Sequence, residues 1–288
     1  MKKIGFVGVG MMGKSMVRNL MKQGFEVSIY ARTKSKVEDV ISEGAVFYES
    51  VAACAKEQEA MITMLGFPKD VEEVYFGESG ILENLPAGGY VIDMTTTSPK
   101  LDQRIAERAK ELGIHALDAP VSGGVSGAAD GTLAIMVGGE KEDFETCRPV
   151  FEAMGKNIVY EGPSGAGQHC KMANQIALAG TLASCCEAVE YAKAAGLDPR
   201  TMLDTISTGA AASWQLSNNG YKMLDEDYSA GFFVEHYIKD LTLAAEEMQD
   251  RGKAFPILDE VRSMFEELAE DGGSRMGTQA LIRVYEKR

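Results

Sequence analysis

The chain has 288 residues, of which 45% are apolar and 25% are charged, and this length and composition suggest a soluble protein of two domains. With 43 acidic and 29 basic side chains the net charge is −14, so we expect neither nucleic acid nor an anionic membrane as a partner. The five cysteines and three histidines show no metal-ligand spacing, which favours reduced thiols, a cytoplasmic location and no metal site.

The first part of the chain alternates short apolar runs with amphipathic segments. This pattern predicts an α/β fold, in which a doubly wound parallel sheet of the Rossmann type has helices on both faces. The run at the amino terminus leads directly into a glycine turn, so we interpret it as the first strand rather than a signal peptide. We place this domain at residues 1–163, with six strands in the segments KIGFVG, EVSIYA, AMITML, YVIDM, IHALDAP and LAIMVGG.

The rest of the chain, residues 164–288, offers no strand candidate and is predicted to form an all-α domain. Its first element is a long helix at about 167–195 that connects the two domains, closed by Gly196 as a left-handed cap. Asp198 and Pro199 are a cap and a first-turn residue for the next helix. Further helices are predicted at 199–208, 230–251, 256–271 and 276–287.

The segment GVGMMG, residues 8–13, has the spacing of a dinucleotide-binding turn. Gly8 permits the tight turn out of the strand, Gly10 permits close approach of a pyrophosphate, and Gly13 permits packing of the helix on the sheet. The phosphates would bind the free N–H groups at the start of this helix, so Val9, Met11 and Met12 are assigned to the cofactor site too.

The second predicted strand ends in Ala31, where an NAD-binding protein usually has an acid that binds the ribose hydroxyls. Arg32 can instead offer a planar fork to a 2′-phosphate, and Thr33 and Lys36 add a hydroxyl and a positive charge. The segment therefore favours NADP, with NAD as a possible cofactor. The alternative is a solvated basic cluster that binds no ligand.

Four segments resemble the signature blocks of the β-hydroxyacid dehydrogenases, and together they span nearly the whole chain. The family includes 3-hydroxyisobutyrate dehydrogenases, tartronate semialdehyde reductases and glyoxylate/succinic semialdehyde reductases. The resemblance implies a Rossmann domain, a helical second domain, an active site between them, and a homodimer or homotetramer. The four blocks are GFVGVGMMGKSMVRNL, DAPVSGGVSGAADGTLAIMVGG, GAGQHCKMANQ and IKDLTLA.

The segment PVSGG follows the end of a predicted strand and can form a tight loop. Such a loop can direct backbone N–H groups and the Ser122 hydroxyl at an anion. The resemblance implies that Ser122, Gly123 and Gly124 bind the substrate carboxylate. From spacing alone, an ordinary structural turn is an equal alternative.

Lys171, Asn174 and Gln175 lie on one face of the long predicted helix, among apolar neighbours. The family's catalytic lysine falls on Lys171, which the resemblance implies is a general acid and base, while Asn174 and Gln175 contact the substrate. A partly buried lysine has a lowered pKa because desolvation disfavours its charge. From periodicity alone, the alternative is a solvated helix face.

Other assignments rest on the same resemblance. It implies that Thr96 contacts the nicotinamide side of the cofactor, that Lys239 reaches the cofactor, and that Asp240 supports the site. Alternatives are a helix cap at Ser98 and a helix-start ion pair between Lys239 and Asp240. We also assign Phe232 to the substrate site, and Met64 and Leu65, which end the third predicted strand, to the cofactor site.

These assignments predict hydride transfer between a nicotinamide cofactor and a small hydroxy acid or aldehyde acid. The candidate substrates are 3-hydroxyisobutyrate, the glycerate/tartronate semialdehyde pair, and the glyoxylate/succinic semialdehyde class. One alternative is a decarboxylating 6-phosphogluconate-type dehydrogenase, which has a longer second domain. The other is a non-catalytic NADP-binding interaction module, which turnover with small aldehyde acids would distinguish from an enzyme.

Overall fold

The computed structural model describes residues 1–287, which form two compact units. The first unit is Met1–Lys171, and the second begins at Met172. The first is an α/β domain and the second is helical, as the sequence predicts. The division falls within the long helix α8, Ala166–Ala194, which begins in the first unit and continues in the second.

The first unit contains one mixed sheet of nine strands. Their order is β3-β2-β1-β4-β5-β6-β8-β7, and β9 pairs with β8. The pairs from β3 to β6 and the pair β8–β9 are parallel, whereas β8 is antiparallel to β6 and β7. The strands are β1 Lys3–Val7, β2 Glu26–Tyr30, β3 Val46–Tyr48, β4 Ala60–Thr63, β5 Tyr90–Asp93, β6 His115–Asp118, β7 Val121–Ser122, β8 Leu133–Gly139 and β9 Gly155–Gly162.

The sequence predicted the mostly parallel sheet but missed three of its strands and the antiparallel direction of β8. β3 and β7 have three and two residues, too few for a clear apolar run. β9 alternates between exposed and half-buried side chains, unlike a covered strand. The antiparallel direction of β8 results from its connections to β6 and β7, which its own residues do not reveal.

Helices cover both faces of the sheet. Adjacent residues of β1 show this, since Phe6 belongs to one buried apolar cluster and Val7 to another. Because β1 connects through α1 to β2 on one side and pairs with β4 on the other, a crevice forms at the carboxyl ends of these strands. The helices are α1 Met11–Lys22, α2 Glu38–Ser42, α3 Val51–Ala55, α4 Pro68–Phe76, α5 Pro99–Glu111, α6 Gly124–Asp130 and α7 Lys141–Glu152.

The second unit packs its helices around a separate apolar core. Beyond α8 it contains α9 Pro199–Ile206, α10 Gly220–Leu224, α11 Val234–Asp250, α12 Pro256–Leu268 and α13 Ile282–Tyr285, with π-helical turns at Gln215–Asn219 and Ala269–Gly273 and a 3-10 turn at Thr278–Leu281. α10 and the turn before it were not predicted. Within the described part of this unit, extended pairing is limited to a single bridge between Phe233 and Gly277.

Two of the three predicted helix caps form as expected. Gly196 has φ of 71°, and Asp198 Oδ2 accepts a hydrogen bond of 2.9 Å from Thr201 N, as expected for these two residues. Ser98 stands at the cap position of α5, but its side chain makes no capping bond. Among residues 1–287, no helix has the length and apolar character needed to span a membrane.

Candidate active site

In the glycine turn between β1 and α1, each glycine is required for a different structural reason. Gly8 has φ of 99°, and a Cβ there would lie 2.2 Å from Met64 O. A Cβ at Gly13 would lie 2.2 Å from Gly8 O, so this glycine lets α1 pack against the turn. A Cβ at Gly10 would meet no described atom within 4 Å. Gly10 therefore borders open space, as the close approach of a pyrophosphate requires.

A cavity of about 540 Å³ opens beside this turn at the carboxyl ends of β1, β2 and β4. A volume of this order suits a small-molecule or cofactor site. The described residues thus fit the nucleotide portion of a dinucleotide. Nine of the predicted cofactor residues line the cavity, namely Gly8, Val9, Gly10, Ala31, Arg32, Thr33, Lys36, Met64 and Leu65.

The other predicted cofactor residues lie elsewhere. Met11 is 51% exposed at the start of α1, Met12 packs against the first apolar core, and Gly13 is buried against the turn. Thr96 is half-buried in the loop between β5 and α5. Lys239 belongs to the second unit.

The basic residues after β2 stand at the mouth of the cavity. The Arg32 side chain is 83% exposed, and its Nη1 lies 3.7 Å from Asp70 Oδ1. This separation is longer than a hydrogen bond, so the guanidinium keeps its donors for another partner. Thr33 and Lys36 are also exposed and line the same cavity. Together they can offer charge and donors to an anionic group.

Ser122 ends β7 and is followed by two glycines with left-handed backbone conformations. Gly123 has φ of 131° and Gly124 has φ of 62°. Side chains other than glycine rarely adopt these angles, which explains the residue types. Ser122 is half-buried. The turn fits the tight loop that the sequence predicts.

Two glycines and a buried aspartate form the start of α8. Asp118, at the end of β6, accepts hydrogen bonds from Gly165 N (2.7 Å, to Oδ1) and Gln168 N (3.0 Å, to Oδ2). A Cβ at Gly167 would lie 2.9 Å from Asp118 Oδ2, so only glycine leaves room for the carboxyl. The strand end thus fixes the position of the helix start.

Lys171 lies one turn beyond this capped start and is 7% exposed. The sequence predicted a partly buried lysine, and the observed burial exceeds that expectation. A buried ammonium group depends on compensating interactions, and a lysine in such an environment is a candidate for proton chemistry.

A hydrogen-bonded chain runs through the second unit from α8 to α11. Asn174 Nδ2 donates to Gln175 Oε1 (2.8 Å), and Gln175 Nε2 donates to Asp240 Oδ2 (2.6 Å). Asp240 Oδ1 lies 2.8 Å from Lys239 Nζ, in the interior of α11 rather than at a helix start. Gln175 is 1% exposed, and its amide is engaged by protein partners. Phe232 is half-buried, with its ring 5.7 Å from that of Tyr237.

Sequence reasoning missed a cluster of three buried aspartates in the first unit. Asp93, Asp102 and Asp118 are each at most 3% exposed. Burial raises the pKa of Asp93 to about 6, although bonds from Thr95 and Thr63 oppose this. Burial also raises the pKa of Asp102 well above its usual range, and the charges of Asp93 and Asp118 reinforce the effect. Burial thus favours the protonated form of these carboxyls relative to exposed aspartates.

The chain matches two family profiles in sequence. A profile of the NAD-binding domain of 6-phosphogluconate dehydrogenase matches residues 3–162. A second, described as NAD-binding of NADP-dependent 3-hydroxyisobutyrate dehydrogenase, matches residues 165–285.

Individual relatives match the chain over its full length. It is 50% identical over 286 residues to the "uncharacterized oxidoreductase YkwC" of Bacillus subtilis, which covers 99% of both chains. It is 37% identical to 2-hydroxy-3-oxopropionate reductase of Escherichia coli, over 99% of this chain and 97% of the relative. Among solved structures, Mycobacterium tuberculosis 3-hydroxyisobutyrate dehydrogenase with L-serine has a TM-score of 0.91 at 29% identity and covers 99% of each chain.

Proposed function

Because the chain belongs to the β-hydroxyacid dehydrogenase family, and is thus an NAD(P)-dependent oxidoreductase acting on CH–OH groups, we propose that it interconverts a small hydroxy acid and the corresponding aldehyde acid. The burial of Lys171 at the capped start of α8 is the observation that carries this proposal. Membership of a family of dehydrogenases and reductases also favours an enzyme over a non-catalytic NADP-binding module.

The cofactor in this proposal is NADP. The glycine turn and the start of α1 hold the pyrophosphate, while Arg32, Thr33 and Lys36 bind the 2′-phosphate. Exposure of the Arg32 guanidinium at the cavity mouth and the apolar Ala31 in place of an acid support this preference. A nicotinamide held there would supply the hydride chemistry at the substrate carbon that bears the reacting oxygen.

The substrate carboxylate is bound by the Ser122 hydroxyl and the backbone N–H groups of Gly123 and Gly124. Both glycines have positive φ, and in this proposal the turn that they form directs its N–H groups at the carboxylate. A family of small hydroxy acids, each with one carboxylate, fits a single loop of this kind. A phosphorylated sugar would need further basic groups, so we retain the small acids.

Lys171 exchanges the proton of the substrate oxygen in this proposal. As an ammonium it donates a proton to an aldehyde oxygen, and as an amine it accepts one from the alcohol. Asn174, one turn further along α8, binds the substrate, and Gln175 holds the Asn174 amide through its bond to Asp240.

Replacing the proposed acid/base tests this assignment directly. Lys171→Met removes the ammonium group with little change in side-chain length. We expect NADPH to bind within about twofold of the native affinity, while kcat falls by about 10²-fold or more, the usual contribution of acid–base catalysis. Assays would use NADPH with glyoxylate, succinic semialdehyde and tartronate semialdehyde, and NADP with 3-hydroxyisobutyrate. Near-native turnover by Lys171→Met would refute the role of this lysine.

Self-association is the second part of the proposal. The second unit exposes four large apolar side chains, Tyr191, Leu197, Trp214 and Ile257, each at least 54% accessible. Exposed apolar surface of this kind is typical of protein contacts, which supports a homodimer or homotetramer. Sedimentation equilibrium would test it, and a monomer at micromolar concentration would refute it.

A further inference from the structure

The first turn of α8 carries a buried glutamine that bonds to the loop between β5 and α5. Gln168 Oε1 accepts from Thr97 N (3.1 Å), and Gln168 Nε2 donates to Thr95 O (2.7 Å) and to Asp102 Oδ2 (2.8 Å). Gln168 is 0% exposed, so its amide makes these bonds out of contact with solvent. The donors and the acceptor of this amide are therefore all matched to protein groups.

These partners permit only one orientation of the amide. Thr97 N–H can only donate and Thr95 O can only accept, so a flipped amide would lose both bonds. Such losses are costly in a buried site because the stranded groups cannot turn to water. Gln168 thus ties two residues of the loop to the helix in a fixed geometry.

Thr96 lies between the two loop residues that Gln168 holds, and Lys171 lies one helical turn beyond Gln168. Asp118 also anchors the helix start, through Gly165 N and Gln168 N. Gln168 therefore couples the loop to the helix.

We propose that Gln168 is a positioning residue, which fixes the Thr96 loop against the turn of α8 that carries Lys171. This inference rests on the proposed function, in which Thr96 contacts the nicotinamide side of the cofactor and Lys171 exchanges the proton. A small displacement between such groups lowers kcat strongly, because the reacting atoms must meet in a narrow range of geometries.

The test replaces Gln168 by methionine, which keeps the side-chain length and removes its hydrogen bonds. Gln103→Met is the matched control, since Gln103 bonds to Ser164 O near the same helix start but is exposed. We expect Gln168→Met to lower kcat by about tenfold to 10²-fold, with the NADPH Kd changed by less than about twofold. Amide hydrogen exchange at residues 94–98 should become faster at the same time. The control variant Gln103→Met should leave both kcat and the amide exchange of residues 94–98 unchanged.

A structural role alone would lower the unfolding temperature and leave kcat unchanged when measured well below that temperature. The proposal is therefore overturned by normal kcat, by unchanged exchange of the loop, or by a loss of NADPH affinity equal to the loss of kcat. If Gln168→Met does not fold, Gln168→Glu replaces it, because Glu keeps the acceptor for Thr97 and, even when protonated beside Asp102, offers at most one of the two donors. The same three results decide the outcome.

The Lys171→Met enzyme, measured in parallel, separates this inference from the proposed function. If Lys171→Met retains turnover, the acid/base assignment fails. Faster loop exchange with reduced kcat in Gln168→Met would still show that Gln168 positions the reactive groups. If Lys171→Met loses turnover and Gln168→Met does not, only the positioning role of Gln168 is refuted.

Discussion

Gln175 Nε2 donates a hydrogen bond of 2.6 Å to Asp240 Oδ2, and the two side chains are 1% and 2% exposed. An ionised carboxylate can only accept, so this bond directs Gln175 Oε1 toward Asn174, whose Nδ2 donates to it across 2.8 Å. Asp240 therefore determines which atom of the Asn174 amide remains for a ligand. In this arrangement it is the carbonyl oxygen Oδ1, together with the second Nδ2 hydrogen.

Gln175→Glu would place two carboxyl groups in contact in a buried site. We expect the free energy of unfolding to fall by about 3 kcal/mol at pH 8, because a second carboxylate is buried beside Asp240 without a counter-charge and the amide donor is lost. The loss should be smaller at pH 5, where the pair can retain a proton. Urea denaturation measures both values. Gln249→Glu, on the exposed side of α11, is the control, and an equally small effect in both variants would contradict the prediction.

Gly10 and Gly13 should respond in opposite ways to the same substitution. Gly13→Ala places Cβ 2.2 Å from Gly8 O, so it should destabilise the free protein by about 1–3 kcal/mol, the usual range for overpacking. Gly10→Ala meets no described atom within 4 Å and should leave the stability of the free protein nearly unchanged.

For cofactor binding, Gly10→Ala should have the larger effect, because the open space beside Gly10 is where the pyrophosphate would lie. We expect Gly10→Ala to raise the NADPH Kd by about tenfold or more, equivalent to about 1.4 kcal/mol. Thermal unfolding without ligand and titration of NADPH fluorescence measure the two effects. Unchanged NADPH affinity in Gly10→Ala would refute the assignment of this turn to the pyrophosphate.

The central strands could be predicted because a covered parallel strand needs an apolar run. β1, β4 and β5 satisfy this rule, whereas β9 does not, since one face of it remains accessible. The direction of β8 depends on the strands beside it and has no local signal. The start of the short helix α9 could be predicted because its signals, Asp198 as the cap and Pro199 in the first turn, are adjacent in the sequence.

In the candidate site, too, local features could be predicted from the sequence and contacts between distant segments could not. The glycine turn was predictable because its requirements arise within a few consecutive residues of one segment. Gln168 was missed because its partners Thr95, Thr97 and Asp102 come from distant parts of the chain. A signal did exist, since the apolar strands β5 and β6 each end in an aspartate, and a charged residue there needs a buried partner.

Arg32 should determine the choice between NADP and NAD. Arg32→Ala removes the exposed guanidinium beside the cavity, and we expect kcat/KM with NADPH to fall by about tenfold or more. The value with NADH should change by less than about twofold, because NADH has no 2′-phosphate. Lys22→Ala, in the last turn of α1, is a control for the loss of one positive charge. An equal fall of kcat/KM with both cofactors would show that Arg32 does not bind the 2′-phosphate.

Protonation of the aspartate cluster should make stability depend on pH. A carboxyl with a higher pKa in the folded protein than in the unfolded chain stabilises the fold at low pH, and this contribution is lost as the pH rises through the folded pKa. For Asp93 the pKa rises from 3.8 to about 6, so its contribution declines between about pH 4 and pH 6. Asp102 shifts in the same direction.

Asp102→Asn should remove part of this dependence by imitating the protonated acid. Asp93 Oδ2 receives no hydrogen bond from an amide or hydroxyl among residues 1–287, so a proton on Asp102 is a suitable donor for it. The Asn amide can supply that donor permanently, while its oxygen accepts from Gln168 Nε2 as Asp102 Oδ2 does. The advantage of the variant in unfolding free energy should therefore be smaller at pH 5 and larger at pH 8.

Urea denaturation at intervals from pH 5 to pH 8 measures this difference, with exposed Asp130→Asn as the control that keeps the native pH dependence. If Asp102→Asn is less stable than the native protein by the same amount at every pH, Asp102 is ionised in the folded state. The loss would then come from a buried carboxylate bond to Gln168 that the amide replaces poorly. A difference that grows as the pH rises shows instead that Asp102 retains its proton beside Asp93.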